Sequence, residues 1–284
     1  MEDYFQVSAF EGRVARKDWG KYDSRVEVNT DKLLSVLAQH HVRATFFVLG
    51  WIADRFPALV KRIHGAGHEI GSHGYWHRLI FEQTPEEFDE DIKSSKEAIA
   101  NACGVTVTAY RAPSFSIVER SLWALDVLID NGIRVDSSIF PIRGHDRYGI
   151  PGAKREVHTI SRASGSIMEF PPSAFHSLGL NIPIGGGYFR ILPLAISLAA
   201  IAAVQRSGRP AMFYIHPWEL DSQQPRVAGI GAKSRFRHYC GLQHTEARLH
   251  SLLKRFAFDS LQGVLDDEPT LQTPGQNVGS SGFR

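Results

Sequence analysis

Between Asp31 and Phe140 the chain repeats one pattern four times: apolar residues at helical spacing, then a short run with strand character. DKLLSVLAQHH, from Asp31, places Leu33, Leu34, Leu37 and Ala38 on one helix face, and ATFFVLG (Ala44 to Gly50) reads as a wholly buried strand. Ile52, Phe56, Leu59, Val60 and Ile63 make a second helix that stops at Gly65 and Gly67. A strand and its exit loop follow in HEIGSHGYWH, His68 to His77. Thr84-Pro85-Glu86-Glu87 combines an N-cap, a first-position proline and a capping-box glutamate, so a helix starts there, runs to about Cys103 and ends at Gly104. VTVTAYRAPSF is the next strand, ending at Arg111. ERSLWALDVLIDNG is a helix closed by Asn131-Gly132, and IRVDSSIF is a strand bearing Asp136. This alternation predicts parallel β/α units. In such architectures ligands gather where strand C-termini meet their loops. His73, Arg111, Asp136 and, farther on, His216 all stand at that point of their units.

With 284 residues, 43% of them apolar and 22% charged, the chain can build one large core or two small ones. Its net charge of +2 provides no strong field for nucleic acid or an acidic membrane. Cys103 and Cys240 make no disulfide framework. The most apolar run, Leu192 to Val204, has thirteen residues. That is short of the roughly 20 needed to cross a bilayer, so it reads as a buried Ala-rich helix rather than a transmembrane segment. MEDYFQVSAF lacks the basic start and apolar core of a secretory signal, and the expectation is a soluble, cytoplasmic protein.

From about Gly144 to Gly187 the pattern is less regular, with short strands in VHTIS and SIMEFPP. The glycine run IPIGGGYFRILP serves turns with positive φ or lines a groove, and it lacks the spacing of a phosphate loop. PAMFYIHPWEL is an apolar strand delivering His216, Trp218 and Glu219, and HTEARLHSLLKRFAF a last amphipathic helix. One domain is expected over residues 1–265, with a distinct C-terminal part from about 140, and a disordered tail over 266–284.

His73 and His77 stand four apart at the exit of a strand. Neutral imidazole is a common zinc ligand, and two imidazoles with one carboxylate leave a position open for water. Spaced histidines also pack in cores. Arg111 could pair with a surface acid, and Asp136 could cap its own turn through Ser137 and Ser138. It is the joint occurrence of all four groups at strand ends that favours a reactive site.

Taken in order, the leading acidic pair, SHGYWH, YRAP, the VDSS strand and YIHPWE resemble the polysaccharide deacetylases of carbohydrate esterase family four, the NodB-homology group. EDYFQVSAF, YRAPSFSI, DSSIFP, GGGYFRILP and FRHY are similar to the branch associated with exosortase-linked exopolysaccharide clusters. The resemblance covers about Glu2 to Phe258. It implies a deformed (β/α) barrel and a divalent metal, zinc first, that acts on a polysaccharide carrying N-acetyl groups. It implies metal ligands at Asp3 or Glu2 (Asp3 narrowly preferred) with His73 and His77. Arg111 falls where the family orients its catalytic base, Asp136 where an aspartate tunes the acid, and His216 at the general acid. Trp76, Trp218 and Tyr188 could stack on a sugar ring, although core packing is the commoner use of such rings.

Two departures stand out. Gly74 replaces a residue that is often Ser or Thr, removing a hydroxyl that could brace the loop. The branch usually reads Thr-Val-Asp-Val-Glu-Asp, whose first Asp is the base, and Met1 here takes the place of the second Val. The resemblance therefore implies that the base and part of the first barrel strand lie upstream of Met1. Two rival expectations remain: a hydrolase of non-sugar amides or cyclic imides, and a glycan-binding pseudoenzyme.

Overall fold

The four repeats fold as helix–strand units, with boundaries set by local chemistry. A computed structural model describes residues 1–143, 147–177 and 180–267. Helix α1 (Val26–Gln39) begins ahead of Asp31 and leads to β1 (Thr45–Val48). The single helix expected from Ile52 to Ile63 is two, α2 (Gly50–Arg55) and α3 (Pro57–Gly65). Pro57 explains the break: it has no N–H to continue the ladder and pushes Phe56 out of the helical region, to φ −130° and ψ 55°. β2 (Glu69–Ser72) follows, then α4 (Pro85–Cys103). In α4 the Thr84 hydroxyl accepts from the Glu87 N–H at 3.2 Å, the Glu87 carboxylate accepts from the Thr84 N–H at 3.0 Å, and Gly104 ends the helix at φ 75°.

β3 (Ala109–Tyr110), α5 (Ala124–Asp130) and β4 (Val135–Asp136) complete the repeats, and β5 (His158–Arg162) and β6 (Gly165–Glu169) form a hairpin. β7 (Ala174–Ser177) and β8 (Leu180–Pro183) form a separate two-stranded sheet. Helices α6 (Gly187–Ile191), α7 (Leu194–Arg206), α8 (Ala232–Tyr239), α9 (Leu242–Arg255) and α10 (Leu261–Asp267) follow.

The main sheet has the order β1-β2-β3-β4-β6-β5, parallel except for β5. Its register sets Val48, Ser72, Tyr110, Asp136 and Glu169 in one row across the strands, all fully buried. These side chains share a face with the helices, where Tyr110 meets Phe88 of α4 edge to face. Phe47, Ala109, Val135 and Phe170 cover the opposite face and pack against Leu261 and Leu265 of α10. His73 and Arg111, one residue beyond the row, leave the sheet on that second side.

Three expectations need correcting. PAMFYIHPWEL is not a strand: residues 210–216 pair with neither edge of the main sheet. A cavity of about 810 Å³ has Thr45, Phe46 and Phe47 on one wall and Met212, Phe213 and Tyr214 on another. The extended segment therefore finds no ladder partner at β1, although Gly186 donates to the Tyr214 carbonyl at 2.9 Å. The Ala-rich helix is only half covered, since Ile196 is 47% exposed while Ala200, Ile201 and Val204 are buried. Asp266 and Asp267 belong to α10 rather than to the tail; residues 268–284 lie outside the described residues. Among the described residues the sheet is open at β1, where Leu49 donates to the Met1 carbonyl at 3.3 Å and the terminal amine of Met1 contacts the Phe47 carbonyl. No helix of the described residues is long and apolar enough to cross a membrane.

Candidate active site

Glu2, His73 and His77 bring one carboxylate oxygen and two ring nitrogens within 4.8 Å of one another, and all three residues are buried. β2 delivers His73 at its C-terminal end, and the loop after it returns to place His77. The His73 Nδ1–H donates to the Arg111 carbonyl at 2.6 Å, which leaves Nε2 facing Glu2 Oε2 at 3.8 Å. His77 Nδ1 lies 3.5 Å from Ser8 Oγ, which accepts from Ser114 Oγ at 2.9 Å. Ser114 and Phe115 in the RAPSF turn, and His77 itself, have φ between 51° and 53°. Non-glycine residues seldom hold that conformation unless surrounding contacts fix it.

The electrostatics fit a metal. Burial drives the His73 imidazole well below its ordinary range and the His77 imidazole down to about 4, so both are neutral. Burial alone would raise the Glu2 carboxyl, but the charges of His216 and the terminal amine hold it far below the usual range, and it is ionised. Its Oε2 is buried without a hydrogen-bond partner. Two neutral imidazoles and an ionised carboxylate with an orphaned oxygen could hold a divalent cation. The sequence preferred Asp3 over Glu2, and the structure reverses that order. Asp3 Oδ2 accepts from Ser24 Oγ at 2.6 Å, Arg25 N at 2.9 Å and Val26 N at 3.2 Å, and so caps the start of α1.

Gly74 also has a structural reason. It sits at φ +74°, and a Cβ there would lie 2.6 Å from Asp91 Oδ2. Asp91, buried on α4, accepts from the N–H groups of Tyr75 at 2.7 Å and Trp76 at 3.1 Å. The brace expected of a hydroxyl at position 74 comes from this carboxylate instead.

The Arg111 guanidinium donates to the Ser137 carbonyl at 3.2 Å and its Oγ at 2.8 Å, and lies 4.4 Å over the Phe47 ring. Burial lowers it to about 10, so it stays charged at neutral pH. Among the described residues no carboxylate comes within ion-pair distance of it. Asp136 is on the helix side of the sheet, opposite Glu169. Asp136 Oδ1 accepts from Ser138 Oγ and Glu169 Oε1 accepts from the Ile139 N–H at 3.1 Å, while Asp136 Oδ2 and Glu169 Oε2 are buried without any other partner. Burial raises both carboxyls, and one proton held between them satisfies the pair.

His216 faces Glu2 from the other side of the centre, with Nε2 3.4 Å from Glu2 Oε1. The carboxylate that meets its Nδ1 is that of Glu219, whose Oε2 accepts at 3.0 Å, whereas Asp136 is on the helix side of the sheet. Burial would lower this imidazole, yet Glu2 and Glu219 outweigh it and raise it. Sequence reasoning left Glu219 and its partner Arg190 unassigned. The available signal was a charged residue inside an apolar run, YFRIL, together with a glutamate three residues after His216. Of the aromatic candidates Trp76 is 38% exposed and Trp218 is buried. Gly187 and Tyr188 line the cavity, while Gly185 and Gly186 press against Tyr214, where an added Cβ would lie 2.5 and 2.6 Å from its ring.

Fold and donor set together define an α/β protein whose strand ends carry a two-histidine, one-carboxylate centre faced by a third histidine. The polysaccharide deacetylase profile matches residues 18–133, and one described as a domain of unknown function (DUF3473) matches 137–266. A chitooligosaccharide deacetylase of Rhizobium leguminosarum bv. trifolii is 33% identical over 183 residues, 63% of this chain and 80% of that protein. The chain belongs to the polysaccharide deacetylase family. A peptidoglycan-N-acetylglucosamine deacetylase of Bacillus cereus is 33% identical over 120 residues, so that the match spans only 44% of that relative's length. A crystal structure described as a polysaccharide deacetylase from Mycobacterium smegmatis has the same fold, with TM-score 0.60 at 19% identity, covering 96% of this chain and 87% of that one.

Proposed function

We propose that the chain is a metal-dependent N-deacetylase of a polysaccharide, with a role in exopolysaccharide biosynthesis. The observation that carries the reading is the convergence of Glu2, His73 and His77 within 4.8 Å, with His216 opposite, on one cavity. Glu2, His73 and His77 would hold the ion, zinc by choice of donors. When bound, it would polarise the acetamide carbonyl and acidify a water molecule. The reaction adds water to the acetamide carbon and breaks its C–N bond, giving acetate and a free amine. His216 protonates the departing nitrogen from Nε2, the ring atom turned to the centre. Ser8 and the Arg111 carbonyl fix the tautomers and ring planes of His77 and His73, as second partners of ligating histidines do.

The base is placed by resemblance on a carboxylate upstream of Met1. The charged guanidinium of Arg111, without a carboxylate partner among the described residues, supports that placement, because a partly buried cation gains most from such a partner. The test is metal content together with acetate release from an N-acetylglucosamine polymer. It is run on the 284-residue chain and on a lengthened chain in which the family segment Thr-Val-Asp-Val replaces Met1. Bound zinc in both and acetate release raised at least about 100-fold in the longer chain are expected. Zinc without acetate release in either would favour an imide hydrolase or a glycan-binding protein, and no zinc in either would refute the assignment of the ligands.

A further inference from the structure

His216 is held by more than its place in the chain. Its Nδ1–H and its main-chain N–H both donate to Glu219 Oε2, at 3.0 and 2.9 Å. The other carboxylate oxygen accepts from Arg190 Nε at 2.6 Å, and the Glu219 and Arg190 side chains are 1% and 3% exposed. The guanidinium also donates to the carbonyls of Arg237 at 2.8 Å, His238 at 2.9 Å and Cys240 at 2.6 Å. It lies 5.4 Å over the Trp218 ring, and Trp218 stacks on His216 at 5.4 Å with 18° between the planes. The carboxylate is thus fixed by a cation whose own donors are committed, and the imidazole by an indole against its face.

This arrangement fixes the ring's orientation. A carboxylate accepting at Nδ1 holds one proton there and turns Nε2 to the centre, so that the imidazolium carries its second, transferable proton on the atom that faces Glu2. Arg190, Glu219, His216 and the carbonyls of α8 all lie within residues 137–266, the stretch matched by the domain of unknown function.

We propose that Glu219, clamped by Arg190, is the positioning residue of His216, and that the 137–266 domain builds this half of the catalytic centre. The catalytic consequence rests on the deacetylase reading above; the positioning itself does not. Asp136, to which the resemblance gives this part, is held instead by Ser138 and Glu169 within the sheet.

Glu219→Gln alone would strand the buried Arg190 cation and endanger folding. The better test is therefore the double variant Arg190→Met/Glu219→Gln, which removes both charges with near-isosteric side chains. It is compared with the unsubstituted protein in the lengthened chain. Three quantities are read: zinc content, kcat and KM for an N-acetylglucosamine oligomer, and the His216 Nδ1–H resonance by NMR on histidine-labelled protein. The expected result is unchanged zinc and KM within about threefold, kcat lower by at least about 100-fold, and loss of the downfield, carboxylate-bonded Nδ1–H resonance of His216. A folded double variant with kcat within about threefold of the parent overturns the proposal, as does a parent in which His216 shows no carboxylate-bonded Nδ1–H resonance. If the parent binds zinc but releases no acetate, the deacetylase reading fails by itself, and the Nδ1–H resonance still decides the role of Glu219.

Discussion

Two adjacent carboxylates, Glu2 and Asp3, show how one residue of register changes a side chain's work. Glu2 turns to the imidazoles, and Asp3 caps α1 through three hydrogen bonds. Their substitutions should therefore separate. Glu2→Ala is expected to weaken zinc binding at least about tenfold, as loss of one of three ligands does, with little change in denaturant midpoint. Asp3→Ala is expected to retain zinc and to lose about 2 kcal/mol of stability, because the Arg25 and Val26 N–H groups lose their acceptor. A zinc competition assay beside a urea titration distinguishes them; loss of zinc on Asp3→Ala would reverse the assignment.

Glu219 offers a pH test at the same scale. Burial raises its carboxyl, but Arg190 and His216 more than offset this and hold it at about 2, against an ordinary value of 4.5. A depressed folded value means that the stabilisation is complete above 4.5 and is lost as pH falls from there through 2. Its size is on the order of 3 kcal/mol. The Asp136–Glu169 pair acts in the opposite sense: its raised folded values stabilise at low pH, and that contribution fades as pH rises through about 6, where Asp136 titrates. In apo protein, Asp136→Asn should flatten the decline in melting temperature between pH 3.8 and about 6, whereas an unchanged slope would show that the pair holds no shared proton.

At the scale of elements, the loop from β2 to α4 carries the two histidines on a bracket made by Asp91. Gly74→Ser should destabilise by about 1–3 kcal/mol, since it adds a side chain at positive φ and a Cβ 2.6 Å from the Asp91 carboxylate. Zinc affinity should fall with it, because the loop that must shift holds both His73 and His77. A stable Gly74→Ser variant with full affinity would mean that the loop has room this packing denies. The sequence made α4, β2 and the strand-end position of His73 legible, because capping box, apolar run and glycine stop are local signals. It hid Asp91 and Arg190, whose partners are 16 and 29 residues away, since a charged side chain on a helix reads as solvated until the fold buries it. The split at Pro57 was legible in principle; continuous apolar spacing across it concealed the break. The strand expected at 210–216 failed for a nonlocal reason: apolar residues do not make a strand unless an edge lies within reach.

At the scale of the whole molecule, two family matches meet between residues 133 and 137, yet no physical boundary falls there. The sheet runs straight across it: β4 pairs in parallel with β6, and Phe170 donates to the Asp136 carbonyl at 2.8 Å. Lys32 of α1 donates to the Leu220 carbonyl at 3.1 Å, Arg25 pairs with Asp221, and Glu2 meets His216. One hydrophobic cluster joins Val48, Ile92 and Leu125 to Ile167, Ile201 and Leu252. A fragment ending at Asp136 would leave β4 as a bare edge and remove the partners of α1, so neither half can close its own core. The 284-residue chain should therefore unfold in calorimetry as one transition, with equal calorimetric and van't Hoff enthalpies, and residues 1–136 alone should show no cooperative melt. Two resolved transitions, or a cooperatively melting fragment, would make the second part an appended domain. The centre between Glu2 and His216 would then depend on docking rather than on one shared core.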